Sequence, residues 1–146
     1  MEQVRPSFGE TIPALPVRDV AASADFYSEK LGFVARHQED GFAIVRRDGA
    51  EIHLWQASDE AWRERPDLAE RPVLSGAESF LAGTASCRVR VEGVDQLYAE
   101  YERSGVIHPR GALTDQWWGD RDFGVCDLDG NLVTFFQRGP DVRSEG

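Results

Sequence analysis

The sequence predicts an α+β protein built from two copies of one βαβββ module, an expectation carried by two repeats. PVRDVAASADFYSEKLGF, residues 16–33, is answered by RVEGVDQLYAEYERSGV, residues 90–106. Val17 matches Val91, Val20 matches Val94 and Tyr27 matches Tyr101, all at an offset of 74 positions. Gly49-Ala-Glu-Ile-His53 is answered by Gly130-Asn-Leu-Val-Thr134 at an offset of 81. Self-similarity at a fixed spacing marks repeated supersecondary units, and the change of offset places about seven extra residues in the second copy, around HPRGALTDQWWGD.

In the first copy, Thr11 to Val17 reads as a short strand. Asp19 is a good N-cap for a helix whose Val20, Ala24, Tyr27 and Leu31 recur at helical spacing, and Gly32 ends it. Strands follow near Phe33 to His37, Phe42 to Arg46 and Glu51 to Trp55, joined by Glu-Asp-Gly and Asp-Gly turns. In the second copy Ala85 to Val91 is a strand. Val94, Leu97, Tyr98 and Tyr101 form the helical stripe, which Ser104-Gly105 stops. Strands near Val106 to His108, Phe123 to Cys126 and Asn131 to Phe136 complete that copy. Apolar stripes of this kind cover a sheet, so one helix on four strands, twice, predicts curved mixed sheets around a cleft. The expected organisation is one domain, 1–146, with modules at about 11–56 and 84–137. A polar linker at about 57–83, broken by Pro66 and Pro72, joins them and carries one helical turn around Glu60 to Glu64.

A net charge of −10 gives no electrostatic footprint for nucleic acid or anionic membranes, and would draw a cationic partner instead. No run approaches the ~18 apolar residues of a membrane-spanning helix, and MEQVRPSFGE lacks the pattern of a signal peptide. The expected location is the cytoplasm. Cys87 and Cys126 stand 39 positions apart in strand-like runs and read as buried free thiols. There is no G-x-S-x-G elbow, Walker loop or dinucleotide fingerprint. Asp127 and Asp129 in CDLDGN sit where a hairpin turn needs turn-formers, which gives them structural work.

The aromatic residues point elsewhere. Trp117 and Trp118 lie in the polar, glycine-containing insert, and adjacent side chains of an extended chain face opposite ways, so one of the two lines a cleft. Which one is left open. Phe33, just after the helix stop, serves equally well as core or as cleft wall. Pro13 and Pro16 in TIPALPVRDV block ladder donation at two places, which suits an edge strand or one exchanged between chains.

With IPALPVRDV, EDGFAIVRRDG, VRVEGVDQLYAEY and QWWGDRDFGVCDLDGN in this order, the chain resembles the vicinal oxygen chelate, or glyoxalase, superfamily from Ile12 to Gln137. Within it, the details look closest to the bleomycin resistance proteins. That resemblance implies a homodimer that binds and sequesters a cationic, aromatic glycopeptide antibiotic without modifying it, and so a protein that is not an enzyme and uses no cofactor. It implies that the rings of Phe42 and Trp118 sandwich the heteroaromatic rings of the drug, and that Pro13 assists strand exchange. Phe33, Trp55 and Trp117 are further candidate walls; Asp115, Asp120, Asp59 and Glu60 are candidate partners for a cationic tail.

Metalloenzymes of the superfamily take ligands from strand positions that map onto Ile12, His53, Ser86 and Thr134. Only His53 ligates a metal well, and a catalytic divalent cation needs three or more donors. The competing readings are a metal-dependent lyase, isomerase or dioxygenase centred on His53, and a binding module for another aromatic small molecule.

Overall fold

Asp19 starts the first helix as its chemistry dictates: its carboxylate accepts the amide N–H of Ala22 at 3.0 Å. Gly32 closes that helix with φ 78°, a left-handed conformation that suits glycine. The computed structural model describes residues 4–57, 66–72, 74–75, 77 and 81–139. The expected helical turn at Glu60 to Glu64 falls outside them.

The chain runs β1 (Ala14–Val17), α1 (Val20–Leu31), β2 (Val34–Glu39), β3 (Phe42–Arg47), β4 (Ala50–Gln56), β5 (Ser86–Arg90), α2 (Val94–Ser104), β6 (Thr114–Asp115), β7 (Arg121–Cys126) and β8 (Leu132–Gln137). This is βαβββ twice, the α+β architecture expected. The first sheet has the order β1-β4-β3-β2 and the second β5-β8-β7-β6. In both, the first strand of the module runs parallel to the last and the remaining neighbours are antiparallel.

Each helix covers one face of its sheet. The stripe Val20, Ala24, Tyr27 and Leu31 is buried against Ala43, Val45, Ile52 and Leu54. In the second module Val94 and Tyr101 are buried with Phe123, Val125, Val133 and Phe135. Because side chains alternate along a strand, the intervening residues of β3, β4, β5, β7 and β8 are left on the opposite, open faces. The N-cap of α2 is Gly93, which has no side chain to offer. Gln137 of β8 replaces one by accepting the N–H groups of Gly93 and Val94 at 2.8 and 3.1 Å.

One strand differs from expectation. Val106 to His108 forms only an isolated bridge, Ile107 to Val125, and the edge strand of the second sheet is β6. Pro109 cannot donate to a ladder. Just beyond it, Gly111 crosses the backbone of Gly124 so closely that a Cβ would stand 2.8 Å from its carbonyl oxygen. The segment therefore passes over β7 at a glycine pair before pairing resumes.

Two polar clamps join the modules. At one end the buried Asp127 carboxylate accepts the Tyr27 hydroxyl at 3.0 Å, the Asn131 side-chain amide at 3.0 Å and the backbone N–H groups of Asp129 and Asn131 at 2.9 Å. Asn131 in turn donates to the Pro16 carbonyl at 2.9 Å and accepts the Ala85 N–H at 3.1 Å. Burial pushes the Asp127 carboxyl above its ordinary range, against the pull of these donors, and drives the Tyr27 hydroxyl well up. At the other end Tyr101 donates its hydroxyl to the Leu31 carbonyl at 2.7 Å. Arg47 donates to that carbonyl at 2.8 Å and to Glu100 at 2.7 and 3.1 Å. Asp127 is thus structural, as its place in the turn led one to expect.

Cys87 and Cys126 are free thiols, half-buried rather than fully buried. Among the described residues no helix is long and apolar enough to cross a membrane.

Replacing Asp127 by Ala leaves the Tyr27 hydroxyl and the Asn131 amide buried without an acceptor, and should cost about 3 kcal/mol of unfolding free energy. Denaturant titration checks this; a loss below about 1 kcal/mol would contradict the clamp. Burial, with a smaller contribution from Asp127, pushes the Cys87 thiol up to about 11. At pH 8 its thiolate fraction is then about a hundredfold below that of an ordinary thiol. Alkylation of the folded chain should leave Cys87 unmodified long after a free thiol has reacted, as peptide mass mapping would read.

Candidate functional site

The open face of the first sheet is aromatic. Phe42 of β3 stands opposite Trp55 of β4 in the ladder, and Ile44 opposite His53. The Phe42 ring meets His53 and Trp55 edge-on, at 5.2 and 6.1 Å between centroids, and the tilted ring of His37 at 6.0 Å. Trp55 is 50% exposed, so the cluster presents an indole to solvent. His53 is held by Glu51 on its own strand, Nε2 to Oε2 2.8 Å.

The open face of the second sheet forms a concavity of about 310 Å³ lined by Arg88, His108, Arg110, Thr114, Gln116, Trp118, Asp122, Leu132 and Thr134 among others. Its wall is a tight loop. The Gln116 N–H bonds to the Asp120 carbonyl at 2.7 Å, and the Gly119 N–H returns to the Gln116 carbonyl at 3.0 Å. Gly139 packs on the Gly119 backbone with no room for a side chain. Inside, Gln116 Nε2 donates to Asp122 Oδ1 at 3.0 Å. Asp122 also lies 3.6 Å from Arg88, whose guanidinium is 3.5 Å from Asp120 and sits over the Phe136 ring at 4.7 Å. A larger cavity of about 580 Å³ lies between the modules, lined by Ile12, Pro13, Phe33, Arg47, Tyr101 and Phe135 among others. Neither Phe42 nor Trp117 nor Trp118 lines it.

Trp118 lines the concavity at 38% exposure, while Trp117 is 90% exposed and meets the Trp118 ring edge-on at 5.5 Å. Phe33 is 3% exposed and packs edge-on against Tyr27 at 5.7 Å, a core side chain that also lines the cavity between the modules. Asp115 is paired with Arg121 at 3.0 Å, and Asp120 is engaged by Arg88; neither is a bare carboxylate awaiting a ligand. Asp59 and Glu60 lie outside the described residues. Pro13 immediately precedes β1, an edge strand paired with β4 of its own chain, and its carbonyl accepts the His53 N–H at 3.0 Å. Within one chain, Phe42 and Trp55 lie on the first sheet and Trp118 on the loop between β6 and β7 of the second module.

Sequence reasoning passed over Arg88, Asp122 and Phe136. Arg88 was legible in SCRVR, where alternation puts both arginines on the face away from the core. Asp122 carried no signal, because its hydrogen bond to Gln116 forms only in the folded loop.

A superfamily metal site is not supported by this donor set. Ile12 offers no donor, His53 is committed to Glu51, and Ser86 and Thr134 lie on the other sheet. Among the described residues no group of three or more His, Cys, Asp or Glu side chains could hold a metal ion.

Comparison with known proteins agrees with the architecture. Residues 11–135 match the model of the Glyoxalase/Bleomycin resistance protein/Dioxygenase superfamily. The chain is 54% identical, over 129 residues, to bleomycin resistance proteins of Geobacillus stearothermophilus and Staphylococcus aureus, a match covering 88% of this chain and 96% of theirs. Among solved structures it resembles the bleomycin-binding protein of bleomycin-producing Streptomyces verticillus complexed with copper(II)-bleomycin. That likeness has 25% identity and a TM-score of 0.65, over 90% of this chain and 97% of that one.

Proposed function

Because this chain belongs to the glyoxalase/bleomycin resistance protein/dioxygenase superfamily and is kin to its bleomycin resistance proteins, we propose that it confers resistance to bleomycin-type cationic glycopeptide antibiotics by binding and sequestering them. The observation that carries this reading is the 54% identity to bleomycin resistance proteins along nearly their whole length. It is a binding protein rather than an enzyme, and the drug leaves it chemically unchanged. It acts in the cytoplasm as one domain, since the two clamps tie the modules together.

The open faces support the recognition mode. Flat heteroaromatic rings need aromatic walls, and Phe42, Trp55 and Trp118 are exposed or half-exposed on surfaces that the core does not use. Each stacked ring contributes on the order of 1–3 kcal/mol by analogy with base stacking, so two such contacts reach the micromolar range or better. Phe42 and Trp55 stand on the first sheet and Trp118 on a loop of the second module, which suits a drug groove formed between two chains. The first sheet of one then faces the second sheet of its partner. Exchange of β1, the role the resemblance implies for Pro13, would preserve the bonds to β4 with the partner supplying them.

Titrating bleomycin against the purified chain should quench tryptophan fluorescence with an apparent Kd of micromolar or below; no quenching at micromolar drug would sink the reading. Trp118→Ala should lose about 2 kcal/mol of drug affinity with little change in Tm, because the ring stands on a loop and not in the core. Light scattering on the eluting protein should read twice the chain mass of 16.3 kDa. A monomer that still binds drug would refute the two-chain groove.

A further inference from the structure

We infer that Arg88 is a tethered cation that occupies, in the ligand-free chain, the seat taken by the cationic terminus of the drug, and that it thereby sets the affinity for the charged end of the ligand. This rests on the sequestration reading above. It begins from a mismatch in the second sheet: two walls of a cation site, Phe136 and Asp122, are buried, while the guanidinium filling it belongs to a half-exposed side chain and is loosely held.

The walls are a ring face and two carboxylates. Phe136 is 9% exposed and Asp122 7%. The side chain of Asp120 is 17% exposed. A ring quadrupole flanked by carboxylates attracts any organic cation. The Phe136 ring already draws two, since the guanidinium of Arg138 also approaches its centroid, at 5.7 Å against 4.7 Å for Arg88. The seat does not need Arg88 to hold its shape: Gln116 fixes the other oxygen of Asp122, and the backbone turn from Gln116 to Asp120 fixes Asp120.

Arg88 itself is 45% exposed along its side chain, and its nitrogen lies 3.5 and 3.6 Å from the two carboxylates. Charge-assisted bonds are normally about 2.7–2.9 Å, so this occupant is held by proximity more than by directed bonds. An exposed arginine on a flexible stem leaves such a contact easily. Trp118, Arg88 and Asp122 line the same concavity of about 310 Å³, so a ligand stacked on the indole brings its charged end within reach of the seat.

Arg88 therefore competes from within the molecule. A state filled by its own side chain in nine of ten molecules weakens the apparent Kd of a competing cation about tenfold, because only the open fraction binds. The same guanidinium also repels an incoming cation that has not displaced it.

The test uses the full chain and two probes: bleomycin, and bleomycinic acid, the same drug with its cationic terminal amine removed to leave a carboxylate. Arg88→Met should tighten bleomycin about tenfold by fluorescence titration while failing to tighten bleomycinic acid. Adding Asp122→Asn to that variant should abolish the gain, because the vacated seat then lacks its inner carboxylate. Arg88→Gln serves the same purpose should the methionine variant fail to fold. Weakening of both probes by Arg88→Met would mean that Arg88 grips the ligand directly, and would overturn the inference. So would a bleomycin affinity within twofold of the unsubstituted chain. If the unsubstituted chain binds neither probe, the sequestration reading falls and this inference with it. If it binds both but Arg88→Met shows no selective gain, only the tethered-cation role is lost.

Discussion

The fold depends on one buried carboxylate. Asp127 sits in the turn before the last strand and gathers four donors, from Tyr27, Asn131 and two backbone amides. A carboxylate taken out of water needs such partners, and here their geometry joins the turn to α1. Asn131 then ties the same turn to β1 through Pro16 and to the entry of β5 through Ala85. The clamp has a counterpart at the opposite end of the module boundary. Tyr27 and Tyr101, matched at an offset of 74, each send a hydroxyl into the other module. The repeat thus supplies both a pair of folds and a pair of reciprocal ties. The acceptors differ, a carboxylate in one case and the carbonyl of Leu31 in the other, and Arg47 with Glu100 completes the second tie.

Those ties fix what remains for binding. The helices cover one face of each sheet and the clamps close two ends of the module boundary, which leaves the outward faces of β3 and β4 and of β5, β7 and β8 beside the cavity between the modules. Strand alternation then decides their chemistry without further instruction. It sends Phe42, His53 and Trp55 to one open face and Arg88, Thr134 and Phe136 to the other. A rigid, core-backed sheet is a good platform for stacking because little conformational entropy is lost when a ring lands on it. The one wall built on a loop, Trp118, is stiffened by the backbone bonds from Gln116 to Asp120 and by the close approach of Gly139 to Gly119.

Electrostatics acts at two scales that must be kept apart. The net charge of −10 acts at long range and favours the approach of a cationic drug. Beside the second concavity that field is partly offset, since Arg88 meets both Asp120 and Asp122, while Asp115 is taken by Arg121. Counting acids in the sequence therefore overstates the negative charge a ligand meets. Exchange of partners at the site matters more than the sum.

The sequence by itself determined the repeat, the caps of α1, the turn role of Asp127 and, through alternation, which strand residues could reach an open face. It also determined that His53 lacks companions, because Ile12, Ser86 and Thr134 can be read at the matching positions without coordinates. All of these are signals of spacing, written in residues near one another or at one constant offset. Tertiary structure alone decided that Trp118 and not Trp117 lines the concavity, that Phe33 is buried, that Gln137 caps α2 and that Asp115 and Asp120 are paired with arginines. It also moved the edge strand of the second sheet from Val106–His108 to Thr114–Asp115. In each of these cases the outcome rests on a contact with a part of the chain that local pattern does not encode: the Gly111–Gly124 crossing, the Gly119–Gly139 approach, the reach of Arg88 across the sheet. Periodicity specifies which way a side chain points; only packing specifies what it finds there.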